Sequence, residues 1–298
     1  MQIQRRIQSF VLRAGRITPA QARALTDLWP SYGVELGEAP LDLEAIFGRR
    51  APRCLEIGFG IGEVIGNLAQ NNPQIDYLGI EVHRPGVGRL LLRAAQANSR
   101  NLRVVCHDAV EVLREKLPNG SFDEILVFFP DPWHKKRHHK RRLINHAFVA
   151  SAAAKLRRDG VLRLATDWQS YAEQMLAVCN ANPELASLSG TGSYVGRPDF
   201  RPPTRFERRG ARLGHDVWDL AYRKISPPLM QASTPSGEAA AHPVDDKLHG
   251  EGRENHTGQS AHDVRAGEPE YFHQARCREH QGPANAEHEG DDAEEPGE

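Results

Sequence analysis

The stretch FFPDPWHKKRHHKRRLI (residues 128–144) places one carboxylate beside a dense run of positive charge. Asp131 lies between two prolines, and residues 134–142 consist of six Lys/Arg and three His. A solvated basic surface would explain the charge but gives no reason for the rigid Pro-Asp-Pro turn in front of it. The charge suggests a surface that binds a polyanion, and the rigid turn raises the question of what a single carboxylate does beside it.

The distribution of charge along the chain supports this interpretation. The 298 residues carry a formal net charge of -1, but residues 226–298 hold 5 Lys/Arg against 16 Asp/Glu and residues 1–225 hold 33 against 23. The front of the chain is basic, which indicates a polyanionic partner for that part. The acidic end is rich in Pro, Gly and His and poor in large apolar residues. We predict one domain over 1–225 with an N-terminal helical segment, and a disordered tail over 226–298.

The composition also indicates the cellular compartment and argues against a disulfide-linked or metal-binding protein. The N-terminus has no apolar signal-peptide core, no stretch approaches membrane-spanning length, and none of the four cysteines belongs to a C-x-x-C pair. These features predict a cytoplasmic protein without a membrane segment, a disulfide framework or a metal site.

Short apolar runs alternate with helical patterns from residue 53 onward, which predicts an open, mostly parallel sheet with helices on both faces. Five predicted strands are RCLEIG, DYLGIEV, LRVVCHD, FDEILVFF and GVLRLATD, with DVWDLAYRK as a later strand at or near an edge. Helices are expected to begin near Gly62, Pro85, Ala109, Lys140 and Trp168, with Gly160 stopping the fourth. Upstream, Thr18 is positioned to cap a further helix that has Pro19 in its first turn.

A glycine-rich loop follows the first predicted strand. In LEIGFGIGE, Gly58, Gly60 and Gly62 allow a sharp turn and a close approach to a ligand. A dinucleotide fingerprint would need a glycine at position 63, which is Glu63, and the Gly-Lys-Ser/Thr ending of a P-loop is absent. The loop alone does not distinguish a ligand site from a tight turn.

Four acids follow or end successive predicted strands: Glu56, Glu81, Asp108 and Asp131. Ligands of such sheets bind beyond the carboxyl ends of the strands, so these acids should line one crevice. A crevice lined with acids is a poor site for phosphate and a good one for a cationic cofactor with ribose hydroxyls. S-adenosylmethionine fits, because it carries a sulfonium and an ammonium group and no phosphate.

Several segments, taken in order, resemble a known family. LEIGFGIGE, GIEVHRPGVGRLL, FFPDPWHKKRHHKRR, LATDW and RPPTRFERRGARLGHDVWDLAY are similar to the bacterial tRNA (guanine-N7-)-methyltransferases over about residues 8–224. The resemblance implies a class I methyltransferase (Rossmann-like) fold, S-adenosylmethionine as methyl donor and guanine-46 of the tRNA variable loop as acceptor. His134 departs from the family, whose members commonly have proline there.

The resemblance also implies roles for individual residues. Asp131 would be the active-site acid, and the cofactor would be contacted by Glu56, Glu81, Asp108, Asp131, Gly58 and Gly60. The substrate would be contacted by Lys135, Asp167, Thr204, Arg205, Phe206 and Glu207. The RNA would be contacted by Arg137, His138, His139, Lys140, Arg141 and Arg142.

Less specific interpretations stay open at this point. Asp131 could be a turn residue, Asp167 could cap a helix, and Trp133 could be either a stacking platform for bases or a core residue. For the whole protein, the alternatives are a class I methyltransferase with another substrate and a non-catalytic RNA-binding protein on the same fold. We expect a monomer or a weak homodimer.

Overall fold

The structure, a computed structural model, describes residues 8–10, 16–202, 207 and 216–225. The predicted tail, 226–298, lies outside the described residues, as do three predicted substrate residues, Thr204, Arg205 and Phe206. Within the described part, no helix is both long and apolar enough to cross a membrane. No group of three or more His, Cys, Asp or Glu in that same part is arranged to hold a metal ion.

A seven-stranded sheet forms the centre of the described fold, in the order β3-β2-β1-β4-β5-β7-β6. The strands are β1 Arg53–Ile57, β2 Asp76–Ile80, β3 Leu102–Val105, β4 Phe122–Phe128, β5 Leu156–Thr166, β6 Leu185–Ser187 and β7 Trp218–Lys224. Strands β1 to β5 pair in parallel, whereas β7 runs antiparallel to both β5 and β6. The predicted mostly parallel sheet with a late antiparallel strand is confirmed. The short β6 was not predicted and places β7 one strand in from the edge.

Helices connect these strands. They are α1 Pro19–Asp27, α2 Trp29–Tyr32, α3 Leu43–Phe47, α4 Glu63–Asn71, α5 Arg84–Gln96, α6 Ala109–Glu111, α7 His146–Lys155 and α8 Gln169–Asn180, with a π-helical turn at Val112–Lys116 and a 3-10 helix at Lys136–Arg141. The strand order reverses at β1, so right-handed crossovers place α4 and α5 on one face and α7 and α8 on the other. The contacts between helices agree with this division into two faces: α5 contacts α1 and α4, and α7 contacts α8.

The predicted helix starts are right within one residue except for the fourth helix. Helix α7 begins at His146 rather than near Lys140, because Asn145 caps it by accepting a hydrogen bond from the Phe148 amide at 3.1 Å. It also ends at Lys155, before Gly160, because Leu156 already pairs with Phe122 in the sheet. The prediction that Gly160 stops this helix was therefore wrong. Thr18 does cap α1, and it does so in a capping box with Gln21.

The parallel register fixes where the site must form. Glu56 of β1 lies opposite Gly79 of β2 and Leu126 of β4, so the carboxyl ends of these strands meet at one edge. On the β3 side, Gly33 bridges to Val104 and the Val34 amide donates to the Val104 carbonyl at 2.9 Å. This segment occupies hydrogen-bonding groups that an edge strand would otherwise leave unpaired.

Candidate active site

The loop after β1 has the open conformation that a ligand cradle requires. Gly58, Gly60 and Gly62 all have positive φ, at 71°, 57° and 73°. A Cβ added to Gly58 or Gly60 would meet no atom within 4 Å, so space lies next to the backbone there. The loop is nevertheless held in place, because a Cβ on Gly86 at the start of α5 would lie 2.0 Å from the Gly60 carbonyl oxygen. Helix α5 therefore packs directly against the cradle.

Glu81 holds the same loop from the end of β2. One carboxylate oxygen accepts from the Gly60 amide at 2.8 Å, and the other accepts from the Val82 and His83 amides at 2.7 and 2.9 Å. Three backbone donors fix this carboxylate, which is 8% exposed. Glu81 thus joins the exits of β1 and β2 and presents a charged group of fixed orientation at the crevice.

Glu56 has a different environment. Its side chain is 3% exposed, and its Oε2 has no hydrogen-bond partner. Burial is the main reason that the pKa of Glu56 is raised to about 8; a hydrogen bond from the Ile65 amide opposes the shift, and the nearby Glu81 adds to it. A buried carboxylate oxygen without a partner is costly unless a cation or donor satisfies it. The cradle is therefore suited to a positively charged ligand.

The next acid along this edge is Asp108, which follows β3. Its side chain is half-buried and accepts a hydrogen bond from the Val110 amide at 2.9 Å, which caps α6. The structure thus brings Glu56, Glu81 and Asp108 to the carboxyl ends of three adjacent strands, as predicted from the sequence.

The turn after β4 carries Asp131 in an unusual backbone. Phe129 and Trp133 flank the Pro-Asp-Pro segment with φ of 53° and 49°, values that are rare for aromatic residues. The Phe129 amide donates to the Ala165 carbonyl at 2.8 Å, which ties the turn to β5. Asp131 itself is exposed. Strained backbone of this kind clusters at functional sites. Here it places the Asp131 carboxylate on the exposed surface.

The basic run forms the 3-10 helix next to this turn. Lys135, Arg137 and Lys140 are exposed, and His138 and His139 are half-buried. Arg141 lies 4.1 Å from the centre of the Trp133 ring and donates to the Gln8 carbonyl at 3.1 Å. Trp133 is thus covered on one face by a cation, and a base cannot stack on that face in this conformation.

Arg142 differs from the rest of the run, because it is 2% exposed. It donates to the Pro132 carbonyl at 2.9 Å and to Ser170 and Gln174 of α8. Burial lowers its pKa from the ordinary value. A guanidinium engaged in this way anchors the turn and is not free to contact RNA, so its position does not support the predicted contact.

Two further predicted substrate residues lie within the described part. Asp167 is half-buried at the end of β5, and the cap residue of α8 is Trp168, so Asp167 is not the helix cap. Glu207 is 8% exposed and pairs with Arg201 at 3.1 Å. Sequence reasoning missed Arg201, although it lies in the same quoted motif, three residues before Thr204.

The strand order, the reversal at β1 and the acid-lined cradle at the carboxyl ends define a class I methyltransferase. A family model described as "Putative methyltransferase" matches residues 50–220. The tRNA (guanine-N(7)-)-methyltransferase of Aeromonas hydrophila is 53% identical over 222 residues, covering 74% of this chain and 94% of the relative. The enzyme of the same name from Xanthomonas campestris is 51% identical over 239 residues, which cover 80% of this chain and 91% of the relative. The chain belongs to the tRNA (guanine-N(7)-)-methyltransferase family.

Among solved structures, the aminoglycoside resistance methyltransferase NpmB1 matches with 15% identity and a TM-score of 0.41, covering 61% of this chain and 92% of that one. Similarity of this degree bears on neither the substrate nor the site.

Proposed function

We propose that this protein transfers a methyl group from S-adenosylmethionine to N7 of guanine-46 in the variable loop of tRNA. The observation that carries the proposal is the 53% identity to relatives named tRNA (guanine-N(7)-)-methyltransferase over 94% of a relative's length. The matched family region, residues 50–220, includes the acid-lined cradle, the Asp131 turn and the basic run.

The cradle fits the proposed methyl donor. S-adenosylmethionine supplies an electrophilic methyl group on a sulfonium and also carries an ammonium group and two ribose hydroxyls. The unpartnered oxygen of buried Glu56 suits a cationic group, and Glu81 and Asp108 offer acceptors for hydroxyls. The open side of Gly58 and Gly60 lets the ligand approach the backbone.

The acceptor chemistry explains why one exposed carboxylate is enough. Guanine N7 has an in-plane lone pair and no hydrogen, so no proton has to leave when it attacks a methyl group. Asp131 is therefore assigned to orienting the base and to stabilising the positive charge that spreads over the imidazole ring. Proton abstraction is not its role.

Recognition of the tRNA is assigned to exposed cations near Asp131. Lys135, Arg137 and Lys140 are exposed on one short segment, where they can neutralise phosphates beside the target base. Asp167 at the end of β5 and the Thr204–Glu207 segment are assigned to the substrate guanine. Arg142 holds this surface in place from beneath.

The test is transfer of labelled methyl groups to bulk tRNA, followed by borohydride and aniline treatment, which cleaves RNA at 7-methylguanosine. We expect one cleavage site, in the variable loop, and none in a tRNA whose guanine-46 is replaced by adenine. Label that resists aniline cleavage, or transfer to the adenine-46 tRNA at the same rate, would overturn the assignment.

We propose further that residues 1–225 contain the whole activity and that 226–298 is a passive acidic extension of a cytoplasmic enzyme. A chain truncated after Ile225 should bind tRNA as tightly as the full chain at both low and high salt. Tighter binding by the truncated chain at low salt alone would instead identify the tail as an electrostatic competitor of tRNA.

A further inference from the structure

Arg201 is a fully buried cation that links two parts of the proposed site. Its side chain is 0% exposed, and Nη2 donates to both carboxylate oxygens of Asp219 on β7, at 2.9 and 2.7 Å. Its Nη1 lies 3.1 Å from Oε1 of Glu207, an ion-pair distance without the geometry of a hydrogen bond. One guanidinium therefore pairs with a carboxylate of the sheet and with a carboxylate of the segment assigned to the substrate.

The same guanidinium lies over the residues that lead into the Asp131 turn. Its central carbon is 5.1 Å from the ring centre of Phe128 and 5.2 Å from that of Phe129. Both distances are within the range of a cation–π contact. Phe129 is one of the residues with positive φ, and only Pro130 separates it from Asp131.

A purely structural ion pair would not need this arrangement. Asp219 alone would neutralise Arg201, and burial already raises the pKa of Asp219 to about 6 while Arg201 opposes the shift. Glu207 adds a second carboxylate, and Arg197 and Arg163 add positive charge that acts on Asp219, so Arg201 belongs to a charged network and not to an isolated pair. Arg201 itself contacts three separate segments, through Asp219 on β7, Glu207, and the rings of Phe128 and Phe129.

We propose that Arg201 is a positioning residue that sets the distance between the Asp131 turn and Glu207. The inference rests on the proposed function, in which both elements face the guanine. The rigid planar fork of arginine can pair with two carboxylates and stack on two rings at once, which the single ammonium of lysine cannot do. A displacement of about 1 Å in such a site can lower turnover roughly 100-fold.

The kinetic test is a double-mutant cycle with Arg201→Lys and Glu207→Gln. We expect Arg201→Lys to lower kcat roughly 30-fold or more while the Kd for S-adenosylmethionine stays within about twofold, because the cradle is built on β1 to β3. If Arg201 holds Glu207 relative to the turn, Arg201→Lys should lower kcat by a smaller factor in the Glu207→Gln background than in wild type. Arg49→Lys is the matched control, because Arg49 pairs with buried Asp76 at 2.6 Å at the start of β2, away from the site. It should leave kcat unchanged.

Two outcomes would overturn the proposal: kcat of Arg201→Lys within threefold of wild type, or effects of the two substitutions that multiply. A second measurement does not depend on the substrate. Hydrogen exchange at the Phe129 amide, which is bonded to the Ala165 carbonyl at 2.8 Å, should be faster in Arg201→Lys and unchanged in Arg49→Lys. If the wild-type protein fails to methylate tRNA, the proposed function is wrong, and the exchange rate of the Phe129 amide then tests the role of Arg201 by itself. Unchanged exchange in Arg201→Lys would refute the proposal that Arg201 holds the Asp131 turn, and faster exchange would support it.

Discussion

Protonation of Glu56 should couple binding of the methyl donor to pH. Burial raises the pKa of this carboxyl to about 8, so at pH 7 it is mostly protonated before the donor binds. A cationic ligand beside it favours the ionised form and drives the proton off. The ionised fraction rises from about 1% at pH 6 to about 50% at pH 8, so the affinity should rise about 50-fold over that interval, or about 2 kcal/mol. Above pH 8 the gain should level off.

Stability of the free protein should change in the opposite direction. The folded protein holds the Glu56 proton more tightly than the unfolded chain, whose carboxyl has its ordinary pKa near 4.5. The stabilising contribution is therefore fully present below about pH 4.5 and is lost as pH rises towards 8, by about 1.4 kcal/mol per pH unit. Glu56→Gln should remove this loss and raise the Tm of the donor-free protein at pH 8, although it weakens donor binding at that pH.

Calorimetry in two buffers of different ionisation enthalpy measures the released proton directly. We expect about 0.9 proton per donor bound at pH 7 from Glu56. The amino group of S-adenosylmethionine titrates in the same range and also releases protons. The contribution of Glu56 is therefore the difference in proton release between wild type and Glu56→Gln. Glu38→Gln, a change at an exposed acid outside the cradle, is the control. Equal proton release in wild type and Glu56→Gln would refute the reasoning.

Three further predictions concern the turn, the cradle and the basic run. Asp131→Ala should lower methyl transfer to tRNA about 100-fold or more without changing the Tm, since the side chain is exposed; near wild-type turnover at saturating tRNA would remove its assigned role. Gly86→Ala should displace the Gly60 loop and weaken donor binding at least tenfold by calorimetry, whereas Gly196→Ala, which meets nothing within 4 Å, should not. Arg142→Ala should lower the free energy of unfolding by about 2–4 kcal/mol in a urea titration, whereas Lys140→Ala should leave it unchanged and reduce the salt slope of tRNA binding by about 1. The opposite pattern would show that Arg142 is the RNA contact.

The parts of the site that are local in sequence could be predicted without a structure. Glu56, Glu81 and Asp131 each lie in or just after an apolar run, and parallel strands bring their carboxyl ends to one edge. All residues of β2 and β4 are buried, which agrees with the continuous apolar runs that predicted strands covered on both faces. The acid-lined crevice therefore follows from where the strands end.

The parts that depend on distant partners could not be predicted. Arg142 has the same residue type as its exposed neighbours, and its burial depends on α8, about 30 residues further along, where Ser170 and Gln174 accept its hydrogen bonds. The burial of Arg201 depends in the same way on Asp219, which lies 18 residues further along the chain. Periodicity and spacing indicate which face a residue takes, but they do not indicate which of several arginines a distant carboxylate will hold.

The contact between Arg141 and Trp133 makes the fluorescence of this tryptophan sensitive to the position of Arg141. The guanidinium lies 4.1 Å from the ring centre, and the indole N–H donates to the Ser9 carbonyl at 3.0 Å, so the fluorophore senses both the basic run and the segment at residues 8–10. If Arg141 contacts an RNA phosphate, as predicted from the sequence, a cation leaves the indole face and the emission of Trp133 should change. Docking of tRNA can then be followed in real time with unlabelled components, and its rate separated from that of methyl transfer.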